Sequence, residues 1–176
     1  MWFPRRLLPL FSLFFLFQPL WGDDMQTLRF GDFLWHIEAQ HRGDFWFDAQ
    51  GGPDGSPALI GRAFPGREGR WVSQPIDVEP GKAYLFSLLV RSQLNRAQGR
   101  LELLFLDNKG EEKARFYSRT AFRQHDWTLY KAVGIAPQGT SQALLCFAVF
   151  GPEDNSSGEA RIAQPRLEQT VAIKAQ

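Results

Sequence analysis

The sequence predicts an all-β fold, a jelly-roll β-sandwich of two antiparallel sheets, from three observations. From Leu28 onward, short aromatic and aliphatic stretches are punctuated by Gly, Pro, Asp and Asn about every eight to twelve residues, the spacing of strands and turns in a sandwich or barrel. Tyr84-Leu85-Phe86-Ser87-Leu88-Leu89-Val90-Arg91 alternates with period two, so that Tyr84, Phe86, Leu88 and Val90 fall on one face. No segment after the N-terminal stretch carries a helical period.

Taken in order, the elements begin with Met1 to Gly22. A short basic start with Arg5 and Arg6 precedes an apolar run from Leu7 to Phe17 and a less apolar end at Gln18 and Pro19, the layout of a secretory signal peptide. Pro9, Gln18 and Pro19 interrupt the run, whereas a membrane-spanning helix needs about 20 apolar residues. Residues 1–22 are therefore expected to be a signal peptide and 23–170 one β-sandwich domain. Residues 171–176 are expected to be a loose tail. The expected location is exported, periplasmic or extracellular, with a membrane attachment only if the leader stays uncleaved.

Gly43 to Arg70 is rich in Gly and Pro yet holds Phe45, Trp46, Phe47, Leu59 and Ile60, more large apolar side chains than a disordered linker carries, and reads as two or three short strands with long loops. After the Tyr84 strand, Arg100 to Asp107 places Leu101, Leu103 and Phe105 on the core face and Arg100, Glu102 and Leu104 opposite. Asp107-Asn108-Lys109-Gly110 reads as a hairpin turn. Lys113 to Arg119, Asp126 to Ile135, Ser141 to Phe150 and Gly158 to Leu167 complete a set of eight to ten strands, with Leu145, Phe147 and Val149 in the core.

Composition excludes some partners. Removing Arg5 and Arg6 with the leader leaves 18 basic against 19 acidic side chains, a balance that argues against nucleic acid, whose phosphates demand a concentrated basic face. Cys146 is the only cysteine and lies in an apolar run, so no intrachain disulfide exists and a buried structural thiol is expected.

Trp71-Val-Ser-Gln-Pro-Ile-Asp-Val-Glu-Pro-Gly-Lys-Ala-Tyr84, running into the next strand, resembles the galactose-binding-like jelly rolls, above all carbohydrate-binding modules of the xylanase and glucanase type. Gly31-Asp32-Phe33, Asp126-Trp127-Thr128 with Ala136-Pro137-Gln138-Gly139, and Gly158 to Leu167 match in the same order. The resemblance implies a non-catalytic module that binds a glycan or polysaccharide. It places Trp127 in the core as the family's structural tryptophan. It also implies a structural calcium between the N-terminal segment and the last strand, with Asp32 and Gln164 as its ligands here, although Gln164 stands where the family has a carboxylate.

Sugar recognition needs exposed aromatic rings beside directional polar groups. Trp46, facing away from Phe45 and Phe47, and Tyr117, between Arg115 and Arg119 at period two, supply rings. Arg91, Glu102 and Arg115 supply polar groups, giving a candidate ligand site of Trp46, Arg91, Glu102, Arg115 and Tyr117, with Arg91 and Glu102 projecting from adjacent strands if those strands pair. Core Trp46 and a plain Arg91–Glu102 surface ion pair are the competing readings. An alternative partner is a cell-envelope protein, docking on an apolar patch of Leu85, Leu89 and Leu104 beside Arg91. No catalytic residues are expected: His36, His41 and His125 form no close pair on one strand, and Glu102 and Asp107 fall on opposite faces. N-terminal sequencing of the mature protein is expected to find its first residue near Gly22 to Met25; a chain still starting at Met1 and fractionating with membranes contradicts the signal peptide.

Overall fold

The alternation that begins at Tyr84 does not stop at Arg91. In the computed structural model, which describes residues 27–170, the strand that carries it continues for 24 residues, Ala83–Leu106. The expected leader and tail lie outside the described residues.

The described residues form eleven strands: β1 (Leu28–Phe30), β2 (Phe33–Ala39), β3 (Phe45–Asp48), β4 (Ala58–Ala63), β5 (Glu68–Ser73), β6 (Ile76–Asp77), β7 (Ala83–Leu106), β8 (Glu112–Tyr117), β9 (Ala121–Ile135), β10 (Gln142–Phe150) and β11 (Ser157–Thr170). The expectation of eight to ten was short because β1 and β6 are only three and two residues long. Every strand pairing is antiparallel.

β7 belongs to both layers of the sandwich. Its first half lies between β9 and β11, and β4 and β3 follow to give a first sheet ordered β9-β7-β11-β4-β3. Its second half lies between β8 and β10, and β5, β2 and β1 complete a second sheet ordered β8-β7-β10-β5-β2-β1. Between the halves the side-chain phase changes. Even-numbered Tyr84, Phe86, Leu88, Val90 and Leu94 face the core, then odd-numbered Ala97, Leu101, Leu103 and Phe105 do. A one-residue slip of phase exchanges the two faces of a strand, and Arg96 absorbs it at the bend with a left-handed φ of 50°.

The core is formed where the inner faces meet. Tyr84 of the first sheet meets Phe105 of the second at 6.0 Å between ring centroids, and Phe45 meets Trp71 at 6.4 Å. The Trp71 indole N–H donates to the Ile60 carbonyl at 3.0 Å, so its one polar atom is satisfied inside the core. Tyr84 keeps its ring buried while its hydroxyl accepts from the Glu79 amide at 2.8 Å, closing the Pro80-Gly81-Lys82 turn, where Gly81 takes φ 78°. The Asp107–Gly110 turn forms as expected. The Asp107 carboxylate accepts from Lys113 Nζ at 2.8 Å and from the Lys109 and Glu111 amides, and these contacts, led by Lys113, pull its pKa down to about 2.

Two expectations are corrected. Trp127 is not in the core: Tyr130 and Ala132 hold the inward positions of β9, so odd-numbered Trp127 points outward and is half-buried. Leu104 does not share a face with Leu85 and Leu89. The phase change puts it on the outer side of the second sheet, buried with Val72 and Cys146, while Leu85 and Leu89 lie half-buried on the outer side of the first.

Replacing fully buried Leu103 by Ala is expected to cost about 2–5 kcal/mol, and Trp127→Ala markedly less. Urea denaturation of both variants checks this, and equal losses would contradict the assignment of faces.

Candidate functional site

The outer face of the second sheet collects charged and aromatic side chains around one carboxylate. Register across the sheet aligns His36, Val72, Cys146, Glu102 and Tyr117 in one row, and Glu38, Arg70, Ala148 and Arg100 in the next. Glu102 sits on a central strand and is 1% exposed. A carboxylate so placed has to be compensated by opposite charge and hydrogen bonds. Three guanidiniums do this: Arg100 Nε lies 2.7 Å from Oε1, and Arg115 and Arg70 lie 2.9 and 3.6 Å from Oε2.

Each arginine is held a second time. Arg100 lies over the Tyr117 ring at 4.5 Å and the Phe150 ring at 5.2 Å, a cation held between two aromatic faces. Arg115 donates to Glu112 from Nε at 3.0 Å and from a terminal nitrogen as well, and these bonds, with Glu102, raise its pKa. Arg70 Nε donates to Glu38 at 2.9 Å. The hydrogen bond with His36, 3.4 Å away, together with Arg70 and against the cost of burial, holds the Glu38 carboxyl below the usual carboxylate range; Arg115 does the same for Glu112. These carboxylates are thereby kept ionised, as acceptors that orient the guanidiniums. Tyr117 is 51% exposed at the margin of this lattice. Beneath it lies Cys146, as the sequence led us to expect, buried; its thiol is pushed up to about 12 by burial and is unreactive as a nucleophile.

The five expected ligand residues are therefore divided between the two sheets. Glu102, Arg115 and Tyr117 come together on the second. Trp46 and Arg91 lie on the outer face of the first, in one row through Ile60 and Arg161. Arg91 and Glu102 do not meet, because they belong to the two halves of β7 on either side of the phase change. Arg91 instead lies 3.8 Å from Asp126, and Arg62 lies over the Trp46 ring at 4.8 Å. Trp46 also lines an apolar crevice with Phe47, Ile37 and Leu28 at the sandwich edge.

Arg100, Arg70 and Phe150 were missed by sequence reasoning. Arg100 shares parity with Glu102 and could have been found at i, i−2. Arg70 and Phe150 arrive through strand pairing, which no local pattern announces. Outside this face, Leu129, Val133 and Ile135 on β9 are half-exposed, their cross-strand partners Leu89, Leu85 and Ala83, with exposed Lys131 opposite Ser87 between Leu129 and Val133. This is the patch expected from Leu85 and Leu89, with β9 residues in place of Leu104.

The expected calcium ligands, Asp32 and Gln164, are both exposed. Gly31 packs against Pro165, which brings the β1–β2 turn to the irregular stretch of β11 where Gln164 takes φ 54°. Among the described residues no three His, Cys, Asp or Glu side chains group so as to hold a metal, and calcium, which takes several oxygen donors, would need backbone carbonyls beside Asp32 and Gln164.

No protein-family model matches the chain, and no curated protein matches it in sequence. Solved structures do. The chain is similar to the enzymatically active domain of tailspike protein 4 from bacteriophage CBA120, with a TM-score of 0.60 and 17% identity over 77% of this chain and 19% of that one. It is similar to the CBM22-1–GH10 modules of Clostridium thermocellum endo-1,4-β-D-xylanase 10B complexed with xylohexaose, with a TM-score of 0.54 and 15% identity over 78% of this chain and 26% of that one. It is similar to TmCBM61 in complex with β-1,4-galactotriose, with a TM-score of 0.53 and 11% identity over 77% of this chain and 88% of that one. The chain thus spans about a fifth and about a quarter of the first two structures and most of the third. What is shared at these identities is the fold, an all-β jelly-roll sandwich.

Proposed function

We propose that the protein is an exported, non-catalytic module that binds a glycan or polysaccharide on the outer face of its second sheet. The observation that carries this reading is the half-exposed Tyr117 ring beside Arg100 and Arg115, whose guanidiniums are fixed by the buried Glu102 carboxylate. A flat ring can stack on the apolar face of a pyranose while pre-oriented N–H groups donate to its hydroxyls, and groups held on rigid strands bind without an ordering cost at the moment of contact. Structures that share the fold include modules crystallised with xylohexaose and with β-1,4-galactotriose, which supports this reading.

The row of Leu129, Val133 and Ile135, with Lys131 between, favours a second reading, in which a cell-envelope protein docks on the first sheet. The two readings use opposite faces, and the glycan reading is tested on its own face. Calorimetry against a panel of neutral oligosaccharides, including xylohexaose and galactotriose, is expected to find a ligand whose affinity falls at least about tenfold in Tyr117→Ala, or about 1.4 kcal/mol. The melting temperature should stay unchanged because the ring is exposed. Trp46→Ala, on the opposite face, is expected to bind as the parent does. Binding that survives Tyr117→Ala and fails in Trp46→Ala would move the site to the first sheet.

A further inference from the structure

The bend of β7 opens a crevice that continues the proposed glycan face. Between Leu94 and Gly99, five steps along β7 face only the two from Arg123 to Ala121 on β9. The surplus residues bow outward. With Thr120, Phe122, Arg123 and Glu153 they enclose an open crevice of about 510 Å³.

The backbone of this crevice is held in an unfavourable conformation at two places. Of the four non-glycine residues with positive φ among those described, Arg96 (50°) and Arg123 (63°) both line it. Each is held by a buried serine: Ser92 Oγ donates to the Arg123 carbonyl at 2.9 Å, and Ser156 Oγ to the Arg96 carbonyl at 2.6 Å. Residues kept in sparsely populated backbone regions by over-determined surroundings cluster at ligand-binding sites, and here what the strain positions is two guanidiniums.

Their surroundings leave them available. Among the described residues Arg123 has no carboxylate partner; its guanidinium lies 5.5 Å from the centre of the Phe122 ring, which is 54% exposed. Arg96 pairs with Glu153 at 3.6 Å, and both side chains are more than half exposed, so water screens the pair. Two arginines against one glutamate leave the lining net positive. Gln98 joins the crevice to the sheet face: it pairs with Phe150 and lies two residues from Arg100 on the same side of β7.

We propose that this crevice is the subsite for a carboxylate-bearing sugar, a uronic-acid residue of the bound glycan, whose carboxylate Arg123 and Arg96 take up and whose ring packs on Phe122. The planar guanidinium fork matches a carboxylate in a way that sugar hydroxyls do not exploit. The proposal rests on the glycan reading above and specifies its ligand class.

The test is calorimetry with tetrasaccharides of galacturonate and of mannuronate, each beside its neutral methyl ester, against the parent, Arg123→Gln, Arg96→Gln and Tyr117→Ala. Thermal melts of every variant accompany the titrations. At least one acid is expected to bind at least about tenfold more tightly than its ester at low salt, with the difference shrinking as salt is raised. Arg123→Gln and Arg96→Gln should reduce that difference at an unchanged melting temperature while ester binding persists. Tyr117→Ala should weaken acid and ester alike. Acid and ester binding equally, or a preference that survives both arginine variants, would overturn the uronate subsite and leave the glycan reading standing. If neither these sugars nor the neutral panel bound, both would fall.

Discussion

β7 cannot keep a constant phase, because both sheets hydrogen-bond to it and its apolar residues are even-numbered in the first half and odd-numbered in the second. A strand of constant phase crossing from one layer to the other would keep the same parity inward and carry half of its apolar side chains to solvent. The slip at Asn95 and Arg96 solves this by exchanging parities, so that Tyr84 to Leu94 and Ala97 to Phe105 converge on one core. Everything outside the core inherits that exchange. Leu85 and Leu89 emerge on one outer face, whereas Arg100, Glu102 and Leu104 emerge on the other. The crevice at the bend is the space left by the surplus residues that make the slip.

On the second sheet the consequence is a buried carboxylate on a central strand. Glu102 is tolerable there only because Arg70, Arg100 and Arg115 surround it, and each guanidinium remains partly exposed. The attraction within the lattice offsets desolvation and does not by itself argue for added stability. What the lattice provides is orientation. An isolated surface arginine samples many rotamers, while these are held by carboxylates on one side and by the rings of Tyr117 and Phe150 on the other. A ligand meeting that surface finds donors already aimed.

Much of the fold was legible because period-two alternation is a local property. Tyr84 to Val90 and Leu101 to Phe105 announced their inward faces directly, and Asp107 to Gly110 announced its turn by chemistry. Trp46 facing away from Phe45 followed from the same alternation, and the buried Cys146 from the apolar run around it. Trp127 was misplaced because it was assigned by a family position, while Tyr130 and Ala132 already filled the inward side of β9. The candidate site was half legible for a related reason. Glu102, Arg115 and Tyr117 lie on paired strands and came together as parity requires. Arg91 was joined to Glu102 on the assumption of two paired strands; the change from even to odd inward residues is written in the alternation, but not that one continuous strand carries it across the bend. The calcium expectation likewise rested on a matched position.

The claim on which the rest depends is that the outer face of the second sheet is the sugar-binding surface. Amide and arginine side-chain NMR spectra of the labelled protein, titrated with the oligosaccharide that binds most tightly, test it residue by residue. Shift changes are expected to concentrate at Tyr117, Arg100, Arg115, Phe150 and Gln98, with Trp46, Arg91 and the Leu129–Ile135 row unmoved. Changes confined to Trp46 and Arg91, or to Leu129, Val133 and Ile135, would contradict it.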